Sequence, residues 1–94
     1  MTQPILEHLI ATIADRKANP TSESYTASLF AAGMGRMAQK VGEEGVEVVI
    51  AALSQSDERL VSEMADLLYH SLVLLAARDV AFADVEAELA RRFR

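Results

Sequence analysis

Lys40-Val41-Gly42-Glu43-Glu44-Gly45-Val46-Glu47 and Glu63-Met64-Ala65-Asp66-Leu67-Leu68-Tyr69-His70, with fifteen residues between them, set the architecture of this chain. In each stretch two carboxylates stand three residues apart, Glu44 with Glu47 and Glu63 with Asp66. That spacing makes them neighbours on one face of a helix. The fifteen intervening residues are enough to finish one helix, turn, and start a second antiparallel to it. The two acidic faces can then oppose each other.

Working outward, the first of these helices is predicted over about 36–54. At roughly 100° per residue, Val46, Val49, Ile50 and Leu53 share one face and Lys40, Glu44 and Glu47 the opposite one. Ser56 or Asp57 can cap the second, about 57–78. Its apolar arc, Val61, Met64, Ala65, Leu68, Leu72 and Leu75, is wide enough for a central, largely buried helix. Toward the N-terminus, Ile5, Leu9, Ile10 and Ile13 give residues 4–17 one apolar helical stripe. Asn19-Pro20 ends that helix, because the residue before proline avoids the α region. Thr21, Ser22 and Ser24 are candidate caps for a short helix over 23–32. Gly33 is placed to end it, and Gly35 is expected to keep the connection loose. A break is expected between Asp79 and Ala83, and Val85, Leu89 and Phe93 make a last amphipathic helix over 83–93. No segment alternates like a strand. The expected fold is all-α: a single domain of four to five helices, bundled around a central helix pair that carries facing carboxylates.

The 94 residues allow one domain, and a domain this short gains core by oligomerising. Its 51% apolar content excludes a disordered chain. The net charge of −5 is opposite to the basic excess of a nucleic-acid binder, so no nucleic-acid partner is expected. A polyanionic ligand would need metal ions to bring it in. With no cysteine, disulfides and Cys-based zinc sites are excluded. Met1 to Arg16 lacks a signal-peptide pattern. The most apolar stretch, Met64 to Ala77, carries Asp66 and His70 and is too short for a membrane span. The expectation is a soluble cytoplasmic protein without a membrane partner.

A single acidic pair at helical spacing is usually a solvated face. Here the second pair lies in the most apolar helix, and Asp66 has Ala65, Leu67 and Leu68 beside it, where an idle charge is costly. Four carboxylates facing inward repel each other and need a cation. Bundles build metal sites this way. All-oxygen ligation selects a hard ion, Mg²⁺ or Mn²⁺. Di-iron bundles add a His three residues after a Glu, and those positions are acidic here. Glu44, Glu47, Glu63 and Asp66 are therefore the expected metal ligands. Lys40 lies one turn before Glu44, and Arg36 one turn before Lys40; both are candidate phosphate contacts. Gly42 and Gly45 weaken the helix locally and suggest close approach by another helix or a ligand. His70, four residues after Asp66, can look into the site, although a partly buried, hydrogen-bonded histidine is the commoner case.

Glu-Glu-x-x-Glu followed by Glu-x-x-Asp resembles the MazG-like all-α nucleoside triphosphate pyrophosphohydrolases. Together with Ser24-Tyr25-Thr26 and Gln39-Lys40-Val41-Gly42-Glu43-Glu44, the pattern is most similar to the phosphoribosyl-ATP pyrophosphatase family, across nearly the whole chain. One departure is Glu23, where the family often has a small residue. The resemblance implies Mg²⁺-dependent hydrolysis of phosphoribosyl-ATP to phosphoribosyl-AMP and pyrophosphate, the second step of histidine synthesis. Water would attack the α-phosphorus while carboxylate-held metal ions neutralise the developing charge and acidify the water. Glu43, Glu44 or Glu47 would orient or deprotonate that water, and Tyr25, Thr26 and His70 are weaker substrate-contact candidates. Some relatives are fused to the cyclohydrolase that follows, and a chain of this length without cysteines is expected to be the stand-alone form. A homo-oligomer is expected, most simply a dimer with the site near or across the interface. Two other readings are a house-cleaning nucleotide pyrophosphohydrolase and a non-enzymatic helical interaction module.

Overall fold

The computed structural model describes residues 4–93; the N-terminal reading from Met1 therefore begins in residues 1–3, outside the described ones. Five helices follow one another: α1 Ile5–Ala18, α2 Tyr25–Ala32, α3 Met34–Ser54, α4 Asp57–Ala77 and α5 Phe82–Arg92. Among the described residues there is no strand. The ends fall where local chemistry puts them. Asn19, held before Pro20, closes α1. Ser24 caps α2 by accepting from the Ala27 amide at 3.0 Å. Ser56 caps α4 through the Arg59 amide at 3.2 Å. Each such cap is worth ~1 kcal/mol.

One junction differs from the sequence reading. Gly33 closes α2 and opens α3 at the same residue, with φ at 99°. Such an angle is open to glycine and costly for other residues. Gly35 therefore lies inside α3, and there is no loose connection. Just past the end of α4, Asp79 takes the left-handed conformation with φ 55°, which a short polar side chain tolerates. The Val80 amide then reaches back to the Leu75 carbonyl at 2.9 Å, reversing the chain after α4. Lys17 of α1 ties this turn down, donating to the Ala76 carbonyl at 2.8 Å and to Asp79 Oδ1 at 2.7 Å.

α3 and α4 form the dominant pair, an antiparallel hairpin of two 21-residue helices, each ~32 Å long at 1.5 Å per residue. α1 and α2 cover the end of that hairpin far from its turn. The core there consists of Ile13, Leu29, Met37, Leu72 and Val73, with Leu9, Ile10 and Phe30 packed against it. The half nearer the turn has no such cover. Val46, Val49, Ile50 and Leu53 on α3 and Val61, Met64 and Leu68 on α4 are all exposed, Leu53 to 83% and Val61 to 70%. α5 buries none of its residues; only Phe82 at its start leans on the core.

Three expectations about α3 and α4 are corrected. A Cβ added at Gly42 or Gly45 would meet nothing within 4 Å, so no helix of this chain approaches them closely. Asp66 is exposed, and the buried acid of its pair is Glu63, at 6%. α4 is also longer than its most apolar stretch, and by length and composition it matches a membrane span. Its buried Glu63 and His70 nevertheless require protein partners: Arg59 meets Glu63, and the Asp66 carbonyl and Tyr25 of α2 meet His70.

Candidate metal and phosphate site

The helical period fixes which acids can meet. On α3, Glu44 turns toward the hairpin interface and is 9% exposed. On α4, Glu63 does the same, with Asp66 beside it one turn on. One carboxylate oxygen from each of Glu44, Glu63 and Asp66 lies within 4.8 Å of the other two. Three like charges this close repel one another unless cations answer them. Two cations do. Lys40 Nζ stands 3.2 Å from Glu44, and Arg59 donates to Glu63 Oε1 at 2.7 Å. The Glu44 hydrogen bond raises the Lys40 pKa above its ordinary 10.5, with burial opposing and Tyr25, Glu44 and Glu43 adding by charge. Lys40 is thus a fixed positive charge at neutral pH.

The remaining sequence candidates fall outside the trio. Glu47, one turn beyond Glu44, is exposed and makes no ion pair or hydrogen bond among the described residues. Glu43 accepts from Gln39 Nε2 at 2.9 Å. It also lies 3.8 Å from Arg36 and 3.7 Å from Lys40. Arg36 is therefore placed against Glu43, not against the three gathered carboxylates. Arg59 is the residue that sequence reasoning missed. Its signal was available, since it precedes Glu63 by four residues as Lys40 precedes Glu44.

Behind the acids, α2 is pinned to α4. His70 is buried, 6% exposed, and both ring nitrogens are engaged. Nδ1 lies 2.8 Å from the Asp66 carbonyl. A carbonyl can only accept, so Nδ1 carries the hydrogen. Nε2 of the neutral ring is then an acceptor, and the Tyr25 hydroxyl donates to it at 3.1 Å. Thr26 and Tyr69 share a hydrogen bond through their hydroxyls. Burial pushes the Tyr69 phenol up, with the Thr26 hydrogen bond opposing. Tyr25 and Tyr69 stack with ring centroids 6.4 Å apart. The Ser24-Tyr25-Thr26 turn is thereby locked onto the helix that carries Glu63 and Asp66, while the Tyr25 ring stays half exposed.

An oxygen-only donor set of this size, three carboxylates against two cations, fits a hard divalent ion. Comparison with known proteins identifies the family. The family described as phosphoribosyl-ATP pyrophosphohydrolase matches residues 6–93. A phosphoribosyl-ATP pyrophosphatase of Novosphingobium aromaticivorans is 58% identical over 88 residues, covering 94% of this chain and 82% of that one. Another, of Pyrobaculum calidifontis, is 50% identical over 94 residues and is covered in full, as is this chain. A histidine biosynthesis bifunctional protein of Shewanella oneidensis is 49% identical over 89 residues, which span 95% of this chain and 42% of that protein. With the match running through the acidic hairpin and the Ser24-Tyr25-Thr26 turn alike, the chain belongs to the phosphoribosyl-ATP pyrophosphohydrolase family.

Proposed function

We propose that the chain hydrolyses phosphoribosyl-ATP to phosphoribosyl-AMP and pyrophosphate, with Mg²⁺ held by Glu44, Glu63 and Asp66. Family membership supports the reaction. The observation that carries the metal reading is the trio itself, whose ligand oxygens lie within 4.8 Å of one another. When bound, the ion supplies charge neutralisation on the phosphate oxygens and a lowered pKa for water. Mn²⁺ suits the same donors.

The protein's own groups then divide the work. Lys40, beside Glu44 in this structure, neutralises charge next to the metal and contacts an α- or β-phosphate oxygen. Glu47 orients the attacking water and takes its proton. It is exposed, free of any cation, and one turn from Glu44, close enough on the helix to reach the trio's edge. It can equally complete the metal's ligand set from there. Glu43, occupied by Gln39 and flanked by Arg36 and Lys40, holds those cations in register. Attack at the α-phosphorus breaks its bond to the bridging oxygen, and pyrophosphate leaves with the electron pair. Positioning and charge stabilisation are the protein's main contributions to such a step. Tyr25 and Thr26, fixed through His70 and Tyr69, form the wall against which the nucleoside end rests.

The exposed apolar residues near the hairpin turn support a homodimer. Seven large aliphatic side chains left in water on the two longest helices are more than scattered surface residues. A second copy covers them in the simplest symmetric arrangement. Lys40, Glu44, Glu63 and Asp66 come together within one chain, so these four groups meet without help from the partner. Soluble and cytoplasmic placement follows from the same reading, with a small nucleotide as the partner molecule.

The substrate assignment is tested by pyrophosphate release from phosphoribosyl-ATP beside ATP and other ordinary nucleoside triphosphates. A strong preference for phosphoribosyl-ATP is expected. Equal rates on ordinary triphosphates would replace this reading with a nucleotide house-cleaning enzyme.

A further inference from the structure

Two of the three gathered carboxylates are met by a cation four residues earlier on their own helix, Glu44 by Lys40 and Glu63 by Arg59. Helix stability does not explain either pair. A cation N-terminal to its acid is the weaker i,i+4 order. Arg59 also sits in the first turn of α4, where Asp57 and Glu58 suit the helix dipole and a cation opposes it. The two partners differ in burial. The Glu63 side chain is 8% exposed and the Arg59 side chain 55%. The guanidinium can therefore swing away without disturbing packing, whereas the carboxylate cannot move far.

We propose that Arg59 is a substrate-binding residue that exchanges partners: it holds Glu63 before metal arrives and grips the departing pyrophosphate once the metal takes Glu63. The inference rests on the metal reading of the preceding subsection. Arg59 and a divalent cation compete for the same carboxylate, and two cations on one carboxylate repel. The displaced guanidinium then has no acidic partner at that position, and a phosphate offers two oxygens to its planar fork. The placement suits a linear phosphate chain. Because α3 and α4 run antiparallel, Lys40 and Arg59 approach the trio from opposite ends of the hairpin. One cation can serve the attacked phosphate and the other the leaving pair. Arg59 stays protonated throughout and transfers no proton; the bond broken is the one between the α-phosphorus and the bridging oxygen.

The test uses the intact chain and two binding measurements. Mn²⁺ binding to the free protein, followed by electron paramagnetic resonance, should tighten several-fold in Arg59→Gln, because a competing cation is gone. Binding of inorganic pyrophosphate at saturating Mn²⁺, followed by calorimetry, should weaken about tenfold or more, the scale of a lost charge-assisted hydrogen bond. Arg59→Lys should recover part of that loss. Circular dichroism of both variants should match the parent. Unchanged pyrophosphate affinity in Arg59→Gln overturns the proposal and leaves Arg59 as a partner of Glu63 alone. Weakened Mn²⁺ binding in that variant also overturns it, because Arg59 would then be orienting Glu63 for the metal. If Mn²⁺ binds the parent and Glu63→Gln equally, the metal reading itself fails and the proposal falls with it.

Discussion

The inward and outward faces of the α3–α4 hairpin invert the usual amphipathic arrangement. Inside, Glu44 and Glu63 are buried beside Asp66. Outside, Val46, Val49, Ile50, Leu53, Val61 and Met64 stand in water. An isolated soluble chain has no reason to bury acids and expose aliphatics along the same two helices. Each face is incomplete by itself, and each lacks something different. On the proposed reading, the acidic face takes a divalent cation and the phosphates it carries. The apolar face lacks another apolar surface. If the metal and dimer proposals both hold, two different partners complete the two sides, and perturbing one side should leave the other intact.

The largest effect is expected on the acidic side. Glu63→Gln or Asp66→Asn should lower turnover by roughly 10³-fold, about 4 kcal/mol of transition-state stabilisation, while circular dichroism stays that of the parent. Near-normal rates in both variants would remove these residues from the site. On the apolar side, Leu53→Glu should break the dimer. Burying a leucine is worth ~1.5–3 kcal/mol, and a two-fold interface counts the change twice, so the dissociation constant should rise by at least ~10²-fold. Light scattering that finds the unsubstituted chain monomeric at micromolar concentration would contradict the apolar half of the comparison directly.

Much of this inversion was legible in the sequence, and the part that was not has a physical cause. Helix ends are local matters, and Ser24, Asn19-Pro20, Gly33 and Ser56 gave them away. Periodicity tells which residues share a face. It does not tell which face turns inward, because that depends on what covers it. The rotation of α4 is set where His70, Leu72 and Val73 meet α1 and α2. That rotation buries Glu63 and leaves Asp66 exposed, the reverse of what the leucines flanking Asp66 suggested. The same dependence on context put Glu47 outside the trio although it shares a helix face with Glu44. Gly42 and Gly45 pointed to a close neighbour that this chain does not provide. Arg59 went unread because an arginine in a helical first turn looks like ordinary surface.

Smaller effects sharpen the division of labour. Mg²⁺ at about ten times its dissociation constant should stabilise the fold by ~1.4 kcal/mol, raising Tm by roughly 5–10 °C for a chain of this size. That shift should vanish in the double variant Glu44→Gln, Glu63→Gln and persist in Leu53→Glu. An equal shift in the double variant would place the metal elsewhere. Tyr25→Phe should cost about 1 kcal/mol in chemical denaturation, since it removes the donor to His70 Nε2. The smallest effect concerns Lys40. Its pKa is held above the ordinary 10.5, chiefly by Glu44. The stability this contributes is fully present below about pH 10.5 and fades as pH rises through the higher folded value. The difference in stability between the parent and Lys40→Met should therefore be flat from pH 7 to 9 and shrink only above about pH 10.5.

The most direct test is pyrophosphate release from phosphoribosyl-ATP across a Mg²⁺ titration, with the parent chain and Glu63→Gln run side by side. The parent should rise from a negligible rate in chelator to saturation, and the variant should stay near zero over the same range. A parent rate that persists in chelator, or a variant that saturates at the same Mg²⁺ concentration with a similar rate, would contradict a metal held by Glu44, Glu63 and Asp66.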